Sequence, residues 1–216
     1  MEKENLVKSK KRTIDFGEVN TSKIIVKKML NLVQDECDKL DSRFLEPACG
    51  DGNFLCEILK RKLDIIIKNH KHQEEFEKFS LLACSSLYGI DLLFDNVEIA
   101  RERLYKIFND FYSAEFKIIN KKILKSFQKI LSKNIIQGDT LSFKCGNNLK
   151  DTIVLSEWAL IDSSFKIRDF KYSDFISYSP IEGPNLFSDL GEQAFIPQPV
   201  KEYPLIKYYE IFEKIK

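Results

Sequence analysis

Apolar residues that recur every three or four positions predict amphipathic helices along most of the chain. Thr21 and Ser22 can cap the first of them, over residues 23–37. Its apolar positions are Ile25, Met29, Leu32 and Val33. A second helix is predicted from residue 53 to a polar break at 69–75, and a third from that break to 82. A fourth begins at a cap formed by Asp95-Asn96. Two more are predicted over 116–131 and over 205–216. In the last helix we expect the buried positions to be Ile206, Tyr209, Ile211 and Phe212.

Short apolar runs predict strands between these helices. The runs cover 44–45, 87–92, 134–139 and 152–158. Because strands and helices alternate, we expect an α/β fold with a doubly wound, mostly parallel sheet. Sheets of this kind bind ligands at the carboxyl ends of their strands. Three acidic residues fall at such ends, namely Glu46, Asp91 and Asp139.

The pattern changes after the fourth predicted strand. Residues 160–168 predict a β-hairpin with its turn at Ser163-Ser164, and the proline-rich stretch 177–204 predicts an extended irregular segment. The chain therefore divides into a basic tail over 1–15, a central domain over 16–162, and a segment over 163–216 that packs on the same domain. The tail is either solvated or an arm that contacts a nucleic-acid backbone.

Composition narrows the possible functions. The 216 residues carry a formal net charge of +1, which gives no bulk electrostatic argument for nucleic acid. No apolar run approaches the ~20 residues of a membrane helix, and the lysine-rich start lacks the apolar core of a signal peptide. The cysteines form no Cys-X-X-Cys pair and lie apart from both histidines, so we expect no metal site. Scattered cysteines of this kind fit buried, reduced thiols in a cytoplasmic protein.

The most informative run is Glu-Pro-Ala-Cys-Gly-Asp-Gly-Asn-Phe at 46–54, where a strand meets a glycine turn and a helix start. It resembles the S-adenosylmethionine-binding turn of DNA adenine methyltransferases. Upstream, the segment 16–26 with Gly17-Glu18-Val19 is similar to the Gly-Glu-Val-Phe-Thr-Pro segment of the gamma class. Asn20 and Ser22 depart from that pattern, whereas Thr21 keeps its hydroxyl. The full chain also resembles short bacterial modification subunits of restriction systems.

The resemblance implies a Rossmann-like methyltransferase fold, S-adenosylmethionine as cofactor, and DNA as a partner together with a specificity or nuclease subunit. The residues that it assigns to the cofactor are Thr21, Glu46, Pro47, Ala48, Gly50, Gly52, Asn53, Phe54, Asp91, Leu92, Asp139 and Thr140. Glu46 can accept from the α-amino group of the methionine part, Asp91 from the ribose hydroxyls and Asp139 from the adenine amine. Leu92, with Ile135 or Leu141, can sandwich the ring.

Simpler interpretations exist for these residues. A single strand-end aspartate is more often a helix cap than a ligand. A nicotinamide site is less favoured than a methyl-donor site, because the turn lacks the third glycine of Gly-X-Gly-X-X-Gly.

The catalytic Asn/Asp-Pro-Pro-Tyr/Phe tetrad of adenine methyltransferases is absent from this sequence. Ser156-Glu157-Trp158 stands at the corresponding end of the fourth predicted strand. Glu157 can be an acceptor for the base amine and Trp158 a stacking platform, or Trp158 packs under the hairpin and Glu157 is solvated or ion-paired. We expect Asp169 and Asp174 to be surface charges.

Three functions remain open at this stage. The chain is a DNA adenine-N6 methyltransferase or modification subunit, a non-catalytic methyltransferase-like binding subunit, or a methyltransferase for RNA or a small molecule. The sequence shows no target-recognition region, so base-specific contacts to DNA are expected from a partner.

Overall fold

Helices alternate with parallel strands through the first 139 residues of the computed structural model, which describes residues 9–16, 18–19, 21–146, 149–176 and 197–215. The helices are α1 (Lys10–Phe16), α2 (Lys23–Asn31), α3 (Gln34–Cys37), α4 (Asn53–Asn69), α5 (Gln73–Ser85), α6 (Phe94–Glu115), α7 (Lys121–Asn134), α8 (Ser173–Ile176) and α9 (Ile211–Lys214). The strands are β1 (Phe44–Glu46), β2 (Leu87–Asp91), β3 (Ile135–Asp139), β4 (Lys144–Cys145), β5 (Asp151–Thr152), β6 (Val154–Ile161), β7 (Ser164–Lys171), β8 (Lys201–Glu202) and β9 (Ile206–Lys207).

The first sheet is mixed, with the strand order β1-β2-β3-β4-β5. β1, β2 and β3 are parallel, and β4 and β5 extend the sheet with antiparallel pairs. Helix α4 lies close against β2, since a Cβ atom on Gly89 would come within 2.8 Å of Leu55 Cδ1. The α/β class is therefore confirmed, and the three parallel strands end at one edge.

The fourth predicted strand does not pair with the parallel strands: its first residue, Thr152, lies in the antiparallel β5, and its main part lies outside the first sheet. Residues 154–161 form one continuous strand, β6, that pairs antiparallel with β7 in a second sheet with β8 and β9. The hairpin turns at Asp162-Ser163, one residue earlier than predicted, and Asp162 takes the left-handed conformation with φ 53°. A two-residue connection allows immediate antiparallel pairing, whereas a parallel partner needs a long crossover.

The second sheet packs against the first. The Tyr88 hydroxyl on β2 donates to the Ser156 carbonyl on β6 at 2.8 Å. Asp169 on β7 is buried, which corrects its prediction as a surface charge. Its carboxylate accepts from the Ser156 hydroxyl at 2.6 Å and the Tyr203 hydroxyl at 2.9 Å, and it forms an ion pair with Lys133. These bonds join β6, β7 and α7 in the region of the chain that carries Ser156-Glu157-Trp158.

Several predicted helices differ from the observed ones. The helix over 23–37 is broken at 32–33, and it buries Val26 and Leu30, whereas the four predicted apolar positions are exposed. The helix predicted from 116 begins at Lys121, because the Asn120 side chain caps it by accepting from the Lys122 N–H at 3.0 Å.

The helix predicted over 205–216 is shorter than expected. Strand β9 and a 3₁₀ turn over Tyr208–Glu210 precede a single helical turn, α9. Ile206 and Ile211 are buried as predicted, but Tyr208 is buried in place of Tyr209. Strand pairing of β9 with β7 accounts for the difference, because it sets which tyrosine faces the core.

The described part of the basic tail is helical and ion-paired. Arg12 on α1 pairs with Glu18 and Asp95, so this part of the tail is not a free solvated chain. Most of the predicted irregular segment, 177–196, lies outside the described residues, and its remainder contains β8. Within the described ranges no helix has the length and apolar character needed to cross a membrane, and no cluster of histidine, cysteine or acidic residues could hold a metal. All cysteines are free, and four of the five are buried.

Lys62 on α4 is a charged residue whose burial the apolar pattern of the helix does not predict. It is fully buried, and its ammonium donates to the Leu40 carbonyl at 3.0 Å, the Ser42 carbonyl at 2.7 Å and the Ser86 hydroxyl at 2.6 Å. Burial lowers the pKa of Lys62 from 10.5 to about 8, and no carboxylate of the described residues forms an ion pair with it. Its three bonds hold the 40–42 loop against α4.

We expect Lys62→Met to change how stability depends on pH. Between pH 8 and 10.5 the unfolded wild type keeps a proton that the folded state has lost, so the free energy of unfolding should rise with pH across this window. The contribution is at most about 3 kcal/mol and should be missing in Lys62→Met. Urea denaturation at pH 7 and pH 10 measures it, with Lys106→Met as an exposed control. A wild type and Lys62→Met with the same pH dependence would contradict the expectation.

Candidate functional site: a cleft at the strand ends

A cleft of ≈ 370 Å³ opens where β1, β2 and β3 end. We call it the strand-end cleft. It is lined by Glu18, Val19, Pro47, Ala48, Gly50, Asp91, Leu92, Leu93, Asn96, Gly138, Asp139, Thr140 and Leu141. Its volume lies in the range of small-molecule sites, and its position is the one at which open α/β sheets bind ligands.

The glycine turn between β1 and α4 forms one wall of the strand-end cleft. The Cys49 N–H donates to the Ile90 carbonyl at 2.9 Å, which ties the turn to β2. Gly50 and Gly52 have positive φ angles of 53° and 84°, and a Cβ on Gly52 would lie 3.0 Å from Ala100 Cβ. Glycine therefore allows both the left-handed backbone and the close approach of α6.

Asp91 is the centre of the polar contacts in the cleft. It is 8% exposed, and its carboxylate accepts from the Gly50 N–H at 2.8 Å, the Leu93 N–H at 2.9 Å and the Asn96 side-chain amide at 3.1 Å. A carboxylate has about four acceptor positions, so these bonds leave one for a further donor. Asp91 thus orients the glycine turn and keeps one acceptor position for a hydrogen bond from a ligand.

A second set of polar residues supports Asp91 from behind. Asn96 is 1% exposed and donates to Glu18 at 2.8 Å as well as to Asp91. Arg12 pairs with Asp95 and with Glu18, and the hydrogen bonds to these two carboxylates raise the pKa of Arg12 above its ordinary value. Asn96 is not the predicted helix cap, because α6 begins at Phe94. The Gly-Glu-Val segment is the only sequence signal that pointed to Glu18.

Glu46, one residue before the cleft wall at Pro47, is a half-buried carboxylate. Burial raises its pKa. Among the described residues it has no hydrogen-bonding or ion-pair partner. A desolvated carboxylate in this state is stabilised by a cation or donor from a ligand.

The opposite wall of the cleft is apolar with a polar edge. Leu141 is 90% exposed and Leu92 42%, whereas Ile135 is fully buried, so Leu141 is the partner available to Leu92. Asp139 caps its own turn by accepting from the Ser142 hydroxyl at 2.7 Å and the Leu141 N–H at 3.0 Å, which lowers its pKa. The Thr140 hydroxyl donates to the Pro47 carbonyl at 3.3 Å and joins the two walls.

Five of the predicted cofactor residues do not line the cleft: Thr21, Glu46, Gly52, Asn53 and Phe54. The Asn53 amide donates to the Thr21 carbonyl at 3.0 Å, and its oxygen accepts from Arg103 at 2.7 Å. Phe54 packs against the core. Thr21, Asn53 and Phe54 hold the start of α4 and support the turn from behind.

Glu157 lies at the far end of β1 from the cleft. It accepts from Arg43 at 3.0 Å and from Arg168 at 2.8 Å. Burial opposes ionisation, but the hydrogen bonds from the two arginines lower the pKa of Glu157 overall. Arg43 directly precedes β1, whereas the cleft begins after β1 at Pro47. Four extended residues span about 13 Å, so the structure does not bring Glu157 to the cleft.

Trp158 is also remote from solvent and from the cleft. It is 4% exposed, its indole N–H donates to Asn134 Oδ1 at 3.0 Å, and its ring packs edge-on against Phe165. This geometry matches the packing alternative for Trp158 and the ion-paired alternative for Glu157. The predicted residues brought together at the cleft are Asp91, Asp139 and the glycine turn, with Glu46 adjacent to the turn.

Comparison of the chain with protein-family models, curated proteins and solved structures found no match in any of the three. The methyl-donor interpretation therefore depends on the motif and on the geometry of the cleft.

Proposed function

We propose that the chain binds S-adenosylmethionine in the strand-end cleft. The observation that carries the proposal is that the glycine turn, Asp91 and Asp139 meet around one cavity at the carboxyl ends of β1, β2 and β3. These residues come from separate parts of the sequence: the glycine turn follows β1, and Asp91 and Asp139 are the last residues of β2 and β3. A Rossmann-like methyltransferase fold is the finer architecture that this arrangement supports.

The chemistry of the cleft residues fits the parts of this cofactor. Glu46, directly before the cleft residue Pro47, is a desolvated carboxylate with no partner among the described residues, and it suits an α-ammonium group. The remaining acceptor position of Asp91 suits a ribose hydroxyl, and Leu92 and Leu141 offer apolar faces for an adenine ring. The cofactor supplies a methyl group on a positively charged sulfur when bound.

The activity that the sequence resemblance supports is DNA adenine-N6 methylation, with the chain acting as a modification subunit. The adenine amine must be oriented by acceptors, and an extruded base is stabilised by stacking on an aromatic ring. Glu157 and Trp158 are the residues that the motif position offers for these roles. A partner subunit would supply contacts to the DNA sequence.

A second candidate is a non-catalytic methyltransferase-like subunit. The placement of Glu157 and Trp158 favours it. Glu157 is held by Arg43, at the amino end of β1, and by Arg168 on β7, and the Trp158 side chain is buried. On this hypothesis the chain binds the cofactor without transferring its methyl group, and cofactor binding regulates the assembly of the chain with a partner. For the chain by itself, binding without methyl transfer is the function that the geometry supports best.

Calorimetry followed by a transfer assay tests both steps. We expect S-adenosylmethionine to bind with one site and a micromolar dissociation constant, about −6 to −8 kcal/mol, whereas NAD should give no heat. With labelled donor and unmodified DNA, we expect no incorporation by the chain alone.

Two outcomes would change the proposal. Absence of heat with S-adenosylmethionine at millimolar concentration would remove cofactor binding. Incorporation into DNA that is lost in Glu157→Gln, with cofactor binding unchanged, would replace the non-catalytic candidate by the methyltransferase.

A further inference from the structure

Another cavity, of ≈ 250 Å³, lies between the two sheets and is separate from the strand-end cleft. We call it the sheet-face pocket. Helix α4 packs on the Gly89 side of β2, and Tyr88, which alternates with Gly89 along the strand, faces the other side. Leu45 on β1 is in register with Tyr88 and is 41% exposed. Parallel sheets are normally covered on both faces, so this open face offers room for a further group.

The walls of the sheet-face pocket are apolar and largely aromatic. The Tyr88 hydroxyl donates to the Ser156 carbonyl, and the Ser156 hydroxyl donates to Asp169, so these polar groups are already paired. The pocket is larger than a ~150 Å³ cavity that holds benzene, and it therefore has room for a two-ring aromatic group. The side chains that would pack against such a group are Leu45, Tyr88, Leu155, Phe170, Tyr172 and Phe175.

One edge of the sheet-face pocket carries an excess of positive charge. Arg43 and Glu157 are the charged residues among those that line the pocket. Glu157 accepts from Arg43 through Oε1 and from Arg168 through Oε2, so both of its oxygens are engaged. Among the described residues Arg43 makes a single hydrogen bond, through Nη2, and the other N–H groups of its guanidinium are available. An arginine with free donors therefore lies beside an aromatic cavity.

We propose that the sheet-face pocket binds a small aromatic carboxylate, with a two-ring group between the sheets and the carboxylate at Arg43. A guanidinium can donate two parallel N–H bonds to a carboxylate, and the charges strengthen both. A cationic ligand meets no free carboxylate among the described residues that line this edge, because Glu157 is paired with both arginines. A neutral aromatic ligand gains the walls but not the charge-assisted bonds. The site shares no residue with the strand-end cleft, so its failure would leave the proposed function unchanged.

Calorimetric titration of the full chain with three probes that share one ring system tests the ligand class. We expect 2-naphthoate to bind at one site with a dissociation constant on the order of 100 μM. The uncharged 2-naphthalenemethanol should bind about fivefold more weakly, because Arg43 is half-exposed and its contribution is modest. The cationic 2-naphthylmethylammonium should bind about 20-fold more weakly than 2-naphthoate. Equal affinities for the three probes, or no heat from 2-naphthoate at millimolar concentration, would overturn the proposal.

Arg43→Gln tests the contact with the carboxylate. It should lower the affinity for 2-naphthoate to that of the uncharged probe and leave the uncharged probe unaffected, because Glu157 keeps Arg168 and the walls stay intact. Lys106→Gln is the matched control, since the Lys106 side chain is a cation that is 74% exposed and lies outside the pocket. Unchanged binding of 2-naphthoate, or an equal loss for both probes, would overturn the assignment of the carboxylate to Arg43.

Leu45→Trp tests the location of the ring. The larger side chain should fill the pocket and weaken 2-naphthoate at least about tenfold, whereas Ile118→Trp, at a position that is 79% exposed, should bind like wild type. Phe175→Ala is a second variant that the fold should tolerate, because Phe175 is 53% exposed, and it should weaken binding about fivefold. Amide chemical-shift changes on titration should centre on 155–157 and 170–172. Changes confined to 138–141, in the strand-end cleft, would overturn the proposed site.

Discussion

Replacement of Asp91 by alanine is expected to weaken S-adenosylmethionine binding by about 100-fold, or about 3 kcal/mol. The carboxylate accepts from the Gly50 and Leu93 N–H groups and from Asn96; in Asp91→Ala the two backbone donors lose this partner, and Asn96 keeps only Glu18. The glycine turn then loses its orientation at the same time as the acceptor proposed for the ribose. Titration calorimetry gives the ratio of dissociation constants directly.

Controls separate loss of binding from loss of the fold. Buried N–H groups without partners each cost about 1–3 kcal/mol, so Asp91→Ala should also lower the free energy of unfolding. Asp91→Asn keeps the shape and one acceptor oxygen, and we expect it to bind about tenfold more weakly than wild type while melting close to it. Asp110→Ala removes an exposed carboxylate elsewhere and should bind normally. Normal binding by Asp91→Asn would remove Asp91 from the proposed site.

The central part of the cleft was predictable because its signals are local in sequence. The turn at 46–54 shows a strand end, glycines and a helix start within nine residues, and Asp91 and Asp139 each follow an apolar run. The supporting residues have no such signal. Arg12 contacts Asp95 from 83 positions away, and an ion pair over that separation leaves no periodic trace in the sequence.

The fold class was also predictable, but strand partners and helix faces were not. An apolar run such as 152–158 suits a central parallel strand or one arm of a hairpin equally well, and the two-residue turn at Asp162-Ser163 decides between them. In α2 two apolar faces compete. The core takes Val26 and Leu30, because Arg61 and α4 fix the helix on that side.

Replacement of Trp158 by alanine is expected to lower the free energy of unfolding by about 3–5 kcal/mol. The side chain is 4% exposed, and its N–H donates to Asn134, whose amide in turn donates to the Ser85 and Leu87 carbonyls at 3.0 and 3.1 Å. Trp158 therefore ties the second sheet to β2 through one buried asparagine. Urea denaturation followed by far-ultraviolet circular dichroism measures the loss.

Trp158→Phe separates the packing role from a stacking role in catalysis. It keeps an aromatic ring but leaves the Asn134 oxygen without its donor, which should cost about 1–3 kcal/mol. If Trp158 were a stacking platform for a base, the opposite result would be expected. Phenylalanine also stacks well, and the free energy of unfolding of Trp158→Phe would be close to that of wild type. Trp158 is the only tryptophan, so its fluorescence reports on this site alone. A Trp158 ring packed against α7 is shielded from a DNA base, so DNA should not quench its fluorescence. Quenching by DNA, together with wild-type stability of Trp158→Phe, would contradict the packing role.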